Sequence, residues 1–275
     1  LVVGAAVRGD QATLLGWCRS SRSVQQVVDT LCTRHRMGPY LAARLVGTAV
    51  WASLPPLSRA RVEESAARQV ASTEGWLVQL REVVTTLRQA GIPCVVLKGG
   101  ELGARFMGGA TARAFRDLDL LIALRHRRDA CRSLEGAGYF RLSRLPLGAG
   151  VTARVHHAVD YAQGSQLLDL HWSISSLPGL HLDTDAIMRR AAPLVLGGTE
   201  VAVLAPDDLL TLLLVSALAD LQRGALRLQS VADVAAVAAG LPEHGWGAFF
   251  AQRDIEGTAT ICRGMLHLAH SLLAL

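Results

Sequence analysis

Apolar positions along this chain follow two rhythms. Through residues 11–90 they recur at helical spacing, as in Val24, Val27, Val28 and Leu31 and again in Leu77, Leu80, Val83, Val84 and Leu87, which predicts helices. The segment SLPPLS, residues 53–58, divides the two groups, and the second should stop at Gly91 with Pro93 just beyond. The rhythm then shortens. PCVVLKG is a brief apolar run bounded by Pro and Gly, and DLDLLIAL alternates before running apolar, so both predict strands. A polar helix is expected from Arg127 to Leu134, ended at GAGY, and VHHAVDY and QLLDLHWSI flank a Gly-containing turn as a hairpin would. After LPGL the pattern returns to helix, with a Pro-Asp-Asp start at residue 206, and SVADVAAVAAGL and ATICRGMLHLAHSLLAL predict a helical bundle. The expected architecture is α+β: a small mixed β-sheet core over 91–178, between a helical N-terminal region (1–90) and a helical C-terminal region (179–275).

Composition narrows the function. With 275 residues and 51% hydrophobic content the chain has ample material for a core. Its longest apolar run, Leu209 to Ala219, falls short of the roughly 20 residues of a bilayer crossing, and LVVGAAV is too short for a signal h-region with its cleavage site. No membrane partner is expected. Five well-separated cysteines without a CxxC pair suit reduced thiols in a cytoplasmic protein rather than a disulfide framework or a zinc site. A net charge of +5 would favour an anionic partner such as a nucleotide. The arginines are scattered, however, and an aromatic content of 5% offers little for base stacking, which counts against a nucleic-acid partner. Of the 28 basic side chains only Lys98 is lysine. It stands before Gly99-Gly100, where a compact ammonium and close backbone approach suit phosphate oxygens.

Three carboxylates carry the chemistry. Asp117 and Asp119, two apart on a strand, share a face while Leu118, Leu120 and Ile122 take the other. A third, Asp169, lies between leucines in LLDLHW. If its strand adjoins the first, the three acids converge, and burying them unpaired would cost several kcal/mol, on the order of what a bound cation offsets. Oxygen-only ligands favour Mg2+ or Mn2+. His171 shares the face of Asp169 and could orient that acid, contact a nucleotide, bind an acceptor or make a structural hydrogen bond; Arg113, four residues before Asp117, could meet a phosphate or stand in a surface loop. His156-His157 could approach His171, but no cysteine or helical His pair accompanies them as a zinc site would need. Trp172 is expected in the core.

The stretches GIPCVVLKGGELGARF, ARAFRDLDLLI, ACRSLEGAGYF and LLDLHWSI resemble the bacterial uncharacterised nucleotidyltransferase family, within the superfamily that has the DNA polymerase β type catalytic core. The likeness covers about residues 60–240, and it departs from the superfamily's best-known members in the long lead from Gly100 to Asp117, which lies 17 positions further on. The resemblance implies metal-dependent transfer of a nucleoside monophosphate from an NTP, ATP foremost, to a small-molecule or peptide hydroxyl, with a link to natural-product biosynthesis. It makes Lys98, Gly99 and Gly100 the phosphate loop, with Arg113 and His171 also toward the nucleotide. Asp117 and Asp119 become metal ligands, and Asp169 the acid that activates the acceptor. VVLK alone also resembles the lysine strand of protein kinases, but no glycine-rich loop, HRD or DFG element accompanies it. The rival reading is a catalytically silent module of the same fold that binds a nucleotide or a partner protein.

Overall fold

A computed structural model describes residues 2–20, 23–142, 157–175, 177, 180 and 182–273. The backbone divides into two compact units. One comprises residues 1–71, 102–115 and 213–275, and the other residues 72–101 and 116–212.

The second unit holds the sheet. Its strands are β1 (Cys94–Val96), β2 (Asp117–Ile122), β3 (Phe140–Arg141), β4 (Ala158–Gln163), β5 (Gln166–His171), β6 (Ala192–Leu196) and β7 (Thr199–Val203). They are ordered β3-β4-β5-β2-β1-β7-β6. Strands β2 and β5 are parallel neighbours, as are β1 and β7, whereas β1 and β2 run antiparallel, so the sheet is mixed as expected. Central strand β2 is buried on both faces: Leu118, Leu120, Leu121 and Ile122 are fully enclosed. That explains its nearly unbroken apolar sequence. The long helix Pro56–Gln89 lays Leu80, Val83, Val84 and Leu87 into the core, and Gln79 Nε2 donates to the Leu167 carbonyl of β5 at 3.2 Å. The helix stops where its sequence punctuation said it would, before Gly91 (φ 70°) and Pro93. Trp172 is buried, with the Arg127 guanidinium 5.2 Å above its ring.

The expected hairpin forms as β4 and β5, closing from Gln163↔Gln166 across Gly164-Ser165. Its first strand begins at Ala158, and His156 lies outside the described residues. One hairpin was not foreseen: β6 and β7 fall within the stretch read as wholly helical. The reason lies in Gly197 and Gly198, whose φ of 53° and 78° supply the two left-handed residues of a tight turn between β6 and β7. As the outer strand of the sheet, β6 leaves Ala192, Pro193 and Val195 exposed, so it carries no clear alternation.

The other unit is helical. It includes helices over Val2–Arg8, Gln11–Ser20, Val24–Thr33, Gly38–Leu45 and Ala49–Ser53, and at its far end Leu228–Ala239, Gly245–Ile255 and Ala259–Leu273. Leu14, Val28, Leu31, Leu41 and Val62 enclose an apolar centre, as the helical spacing predicts. Among the described residues, no helix is long and apolar enough to cross a membrane.

Candidate active site

The polar cluster of the sheet unit is built by register. Parallel pairing of β2 with β5 sets Asp119 directly beside Asp169, and antiparallel pairing of β5 with β4 sets Asp160 beside Asp169. Directly paired residues share a face, so three carboxylates form a row across three strands, with Asp117 and His171 on the same face. Asp160 escaped the sequence reading. Counting outward from Gly164-Ser165, the turn that pairs Gln163 with Gln166 also pairs Asp160 with Asp169, and that symmetry was the available signal.

Lys98 enters from the end of β1. The backbone bond from Leu97 N–H to the Asp119 carbonyl, 3.1 Å, carries the pairing one residue past the end of the strand. The Lys98 ammonium then lies 3.4 Å from Asp119 Oδ1, with the lysine side chain 32% exposed and the Asp119 side chain 2% exposed. Gly99 follows with φ 95°, a conformation that L side chains rarely adopt, and Gly100 opens the short helix Gly100–Phe106. His171 Nε2 is 3.1 Å from the same Oδ1. It therefore engages Asp119; orienting Asp169 was one of several roles the sequence left open for it. The His157 ring stands 5.7 Å from that of His171.

Two neighbouring acids are thus driven apart. Burial would raise the Asp119 pKa, but the Lys98 charge and the hydrogen bond to His171 outweigh it and bring the group down to about 2. Asp169 is pushed up to about 8 by burial and by the charges of Asp119, Asp117 and Asp160, against a smaller opposing effect of Lys98. The two neighbouring acids are shifted in opposite directions, the pattern that separates roles in acid–base chemistry.

Asp119, Asp169 and His171 each offer a donor atom, and these donors lie within 4.8 Å of one another. Asp119 Oδ2 is buried and has no hydrogen-bond partner among the described residues. A buried carboxylate oxygen with no donor beside a second acid fits a divalent cation. Asp117 lies on the same face about 7 Å along the strand but outside this group of three. Arg113 belongs to the helical unit. There its guanidinium makes a forked contact with Asp233, Nη2 to Oδ2 at 2.8 Å and Nε to Oδ1 at 3.1 Å.

The description "uncharacterised nucleotidyltransferase" matches residues 23–274; the chain belongs to that family and is a transferase. No curated protein matches in sequence. Among solved structures, the chain is similar to the antibiotic-resistance factor ANT(2'')-Ia in solution, with 13% identity over 68% of this chain and 95% of that one and a TM-score of 0.48. A crystal structure of ANT(2'')-Ia in complex with adenylyl-2''-tobramycin aligns at 13% identity over 64% and 94%, with a TM-score of 0.46.

Proposed function

We propose that this protein is an enzyme of the DNA polymerase β type that moves a nucleoside monophosphate from an NTP, ATP foremost, to a hydroxyl of a small molecule or peptide. The observation that carries the reading is geometric: parallel register sets Asp119 beside Asp169, Asp119 Oδ2 is buried with no hydrogen-bond partner among the described residues, and Lys98 stands at the neighbouring strand end. Asp117, Asp119 and Asp169 would hold Mg2+ or Mn2+, which when bound neutralises phosphate charge. Lys98 and the backbone at Gly99-Gly100 receive the β and γ phosphates. Asp169, its pKa raised by burial and neighbouring acids in the metal-free chain, would be a carboxylate once the cation is held, and in that form accepts the proton of the acceptor hydroxyl as its oxygen bonds to the α-phosphorus. The bond from the α-phosphorus to the bridging oxygen breaks and pyrophosphate departs. Five scattered cysteines without a CxxC pair support a cytoplasmic setting, and natural-product biosynthesis is the context we assign.

The decisive test titrates each NTP with and without Mg2+ and repeats the titration on the Asp117→Ala/Asp119→Ala double variant. Metal-dependent binding, weakened at least about tenfold in the variant, is expected. Failure of every NTP to bind would end the reading, and binding without pyrophosphate release toward any acceptor would leave a silent nucleotide-binding module.

Lys98→Arg preserves the charge but replaces a point ammonium with a planar fork beside Asp119. NTP affinity or turnover should fall by about tenfold, roughly 1.4 kcal/mol, measured by calorimetry and steady-state kinetics. Unchanged values would show that any cation suffices there.

A further inference from the structure

The expected metal ligands were all oxygens, and the structure groups a nitrogen donor, His171, with two of them. We propose that His171 is a direct ligand of the divalent ion alongside Asp119 and Asp169, and that the site therefore selects a first-row transition ion, with Mn2+ as its probe, over Mg2+. The inference rests on the metal-dependent reading above and specifies its ion.

The donors lie within 4.8 Å of one another. Two atoms bound to one ion at roughly 2.1–2.2 Å stand about 3 Å apart in cis and about 4.4 Å apart in trans, so side-chain rotation without strand movement is what the group needs to close on an ion. Asp119 distributes its contacts unevenly. Oδ1 already faces Lys98 at 3.4 Å as well as His171 at 3.1 Å, while buried Oδ2 has no hydrogen-bond partner among the described residues. The Lys98 ammonium already faces Oδ1, so charge pairing alone does not require an imidazole there. The ring is held from both directions, by its strand position two residues beyond Asp169 and by His157 at 5.7 Å. An imidazole so placed adds a nitrogen donor to two carboxylates. Mg2+ strongly prefers oxygen and near-ideal octahedral geometry, whereas later divalent ions accept nitrogen readily.

Mn2+ and Mg2+ are titrated separately, without nucleotide, into the whole chain and into His171→Gln, whose amide can still hydrogen-bond Asp119 but replaces the imidazole donor. Pulsed electron paramagnetic resonance of the Mn2+-loaded parent should show nitrogen coupling. The variant should lose the coupling and bind Mn2+ at least tenfold more weakly with Mg2+ affinity little changed, while its melting curve confirms folding. Mn2+ bound to the parent without nitrogen coupling overturns this proposal and leaves the metal-dependent reading standing, as does an unchanged Mn2+ to Mg2+ ratio in the variant. Binding of neither ion overturns both.

Discussion

An Asp169→Asn variant should melt higher than the parent at pH 8 while transferring nucleotide roughly a thousandfold more slowly. The two halves share one cause. In the folded chain the Asp169 pKa is raised to about 8 from 3.8 by burial and by Asp119, Asp117 and Asp160. Between those values the unfolded chain has released a proton that the folded chain retains, so stability falls as pH rises through the window. Asparagine is neutral throughout and removes that slope.

Parent and variant should therefore melt together near pH 4 and diverge toward pH 8 when a chelator is present. Allowing for solvent screening of a half-buried group, the gap is on the order of 1–2 kcal/mol, or about 3–6 °C in a chain of this size. Asp119 acts in the opposite sense and elsewhere. Its lowered pKa contributes stability above 3.8 that is lost as pH falls toward 2, outside the Asp169 window. Catalysis fails in the variant because an amide cannot take the acceptor's proton. Equal melting at pH 8 would show that Asp169 is not held protonated. Retained turnover would remove it from the chemistry.

What could be read from the sequence follows from the range of the forces involved. Period-two spacing places Asp117 and Asp119 on one face because strand geometry is local. The β4/β5 hairpin was legible from its Gly-containing turn. The partners of these residues were not. That Lys98 would meet Asp119 depends on the antiparallel register Val96↔Leu120, which no local pattern encodes. For His171 the sequence left several roles open, because its reach across to Asp119 on β2 depends on strand pairing. Asp160 needed a count through the hairpin, and β6 was hidden because an exposed outer strand has no buried face to imprint an alternation. The grouping of segments into units was equally hidden, since residues 102–115 join helices distant in sequence.

Arg113→Ala should destabilise the helical unit by about 3–5 kcal/mol, the largest stability loss expected of any single substitution considered for this chain. The sequence offered two roles for Arg113, a phosphate contact and a surface loop residue. Its side chain is only 11% exposed and forks onto Asp233, itself 2% exposed and 120 positions away. The adjoining backbone is secured as well: Gln229 Nε2 donates to the Ala114 carbonyl at 2.6 Å, and Phe115 N–H donates to Gln69 Oε1 at 3.2 Å. Removing the guanidinium leaves Asp233 buried without its forked partner, and that desolvated charge dominates the cost. Replacing both members with apolar residues, Arg113→Met with Asp233→Leu, should recover most of the loss, because a well-packed apolar pair needs no compensation. Urea melts of the single and double variants measure this directly. NTP titration of the double variant then separates the two roles of Arg113. Parental affinity in a refolded, stable double variant assigns the arginine to structure, whereas affinity lost with stability restored assigns it to the nucleotide.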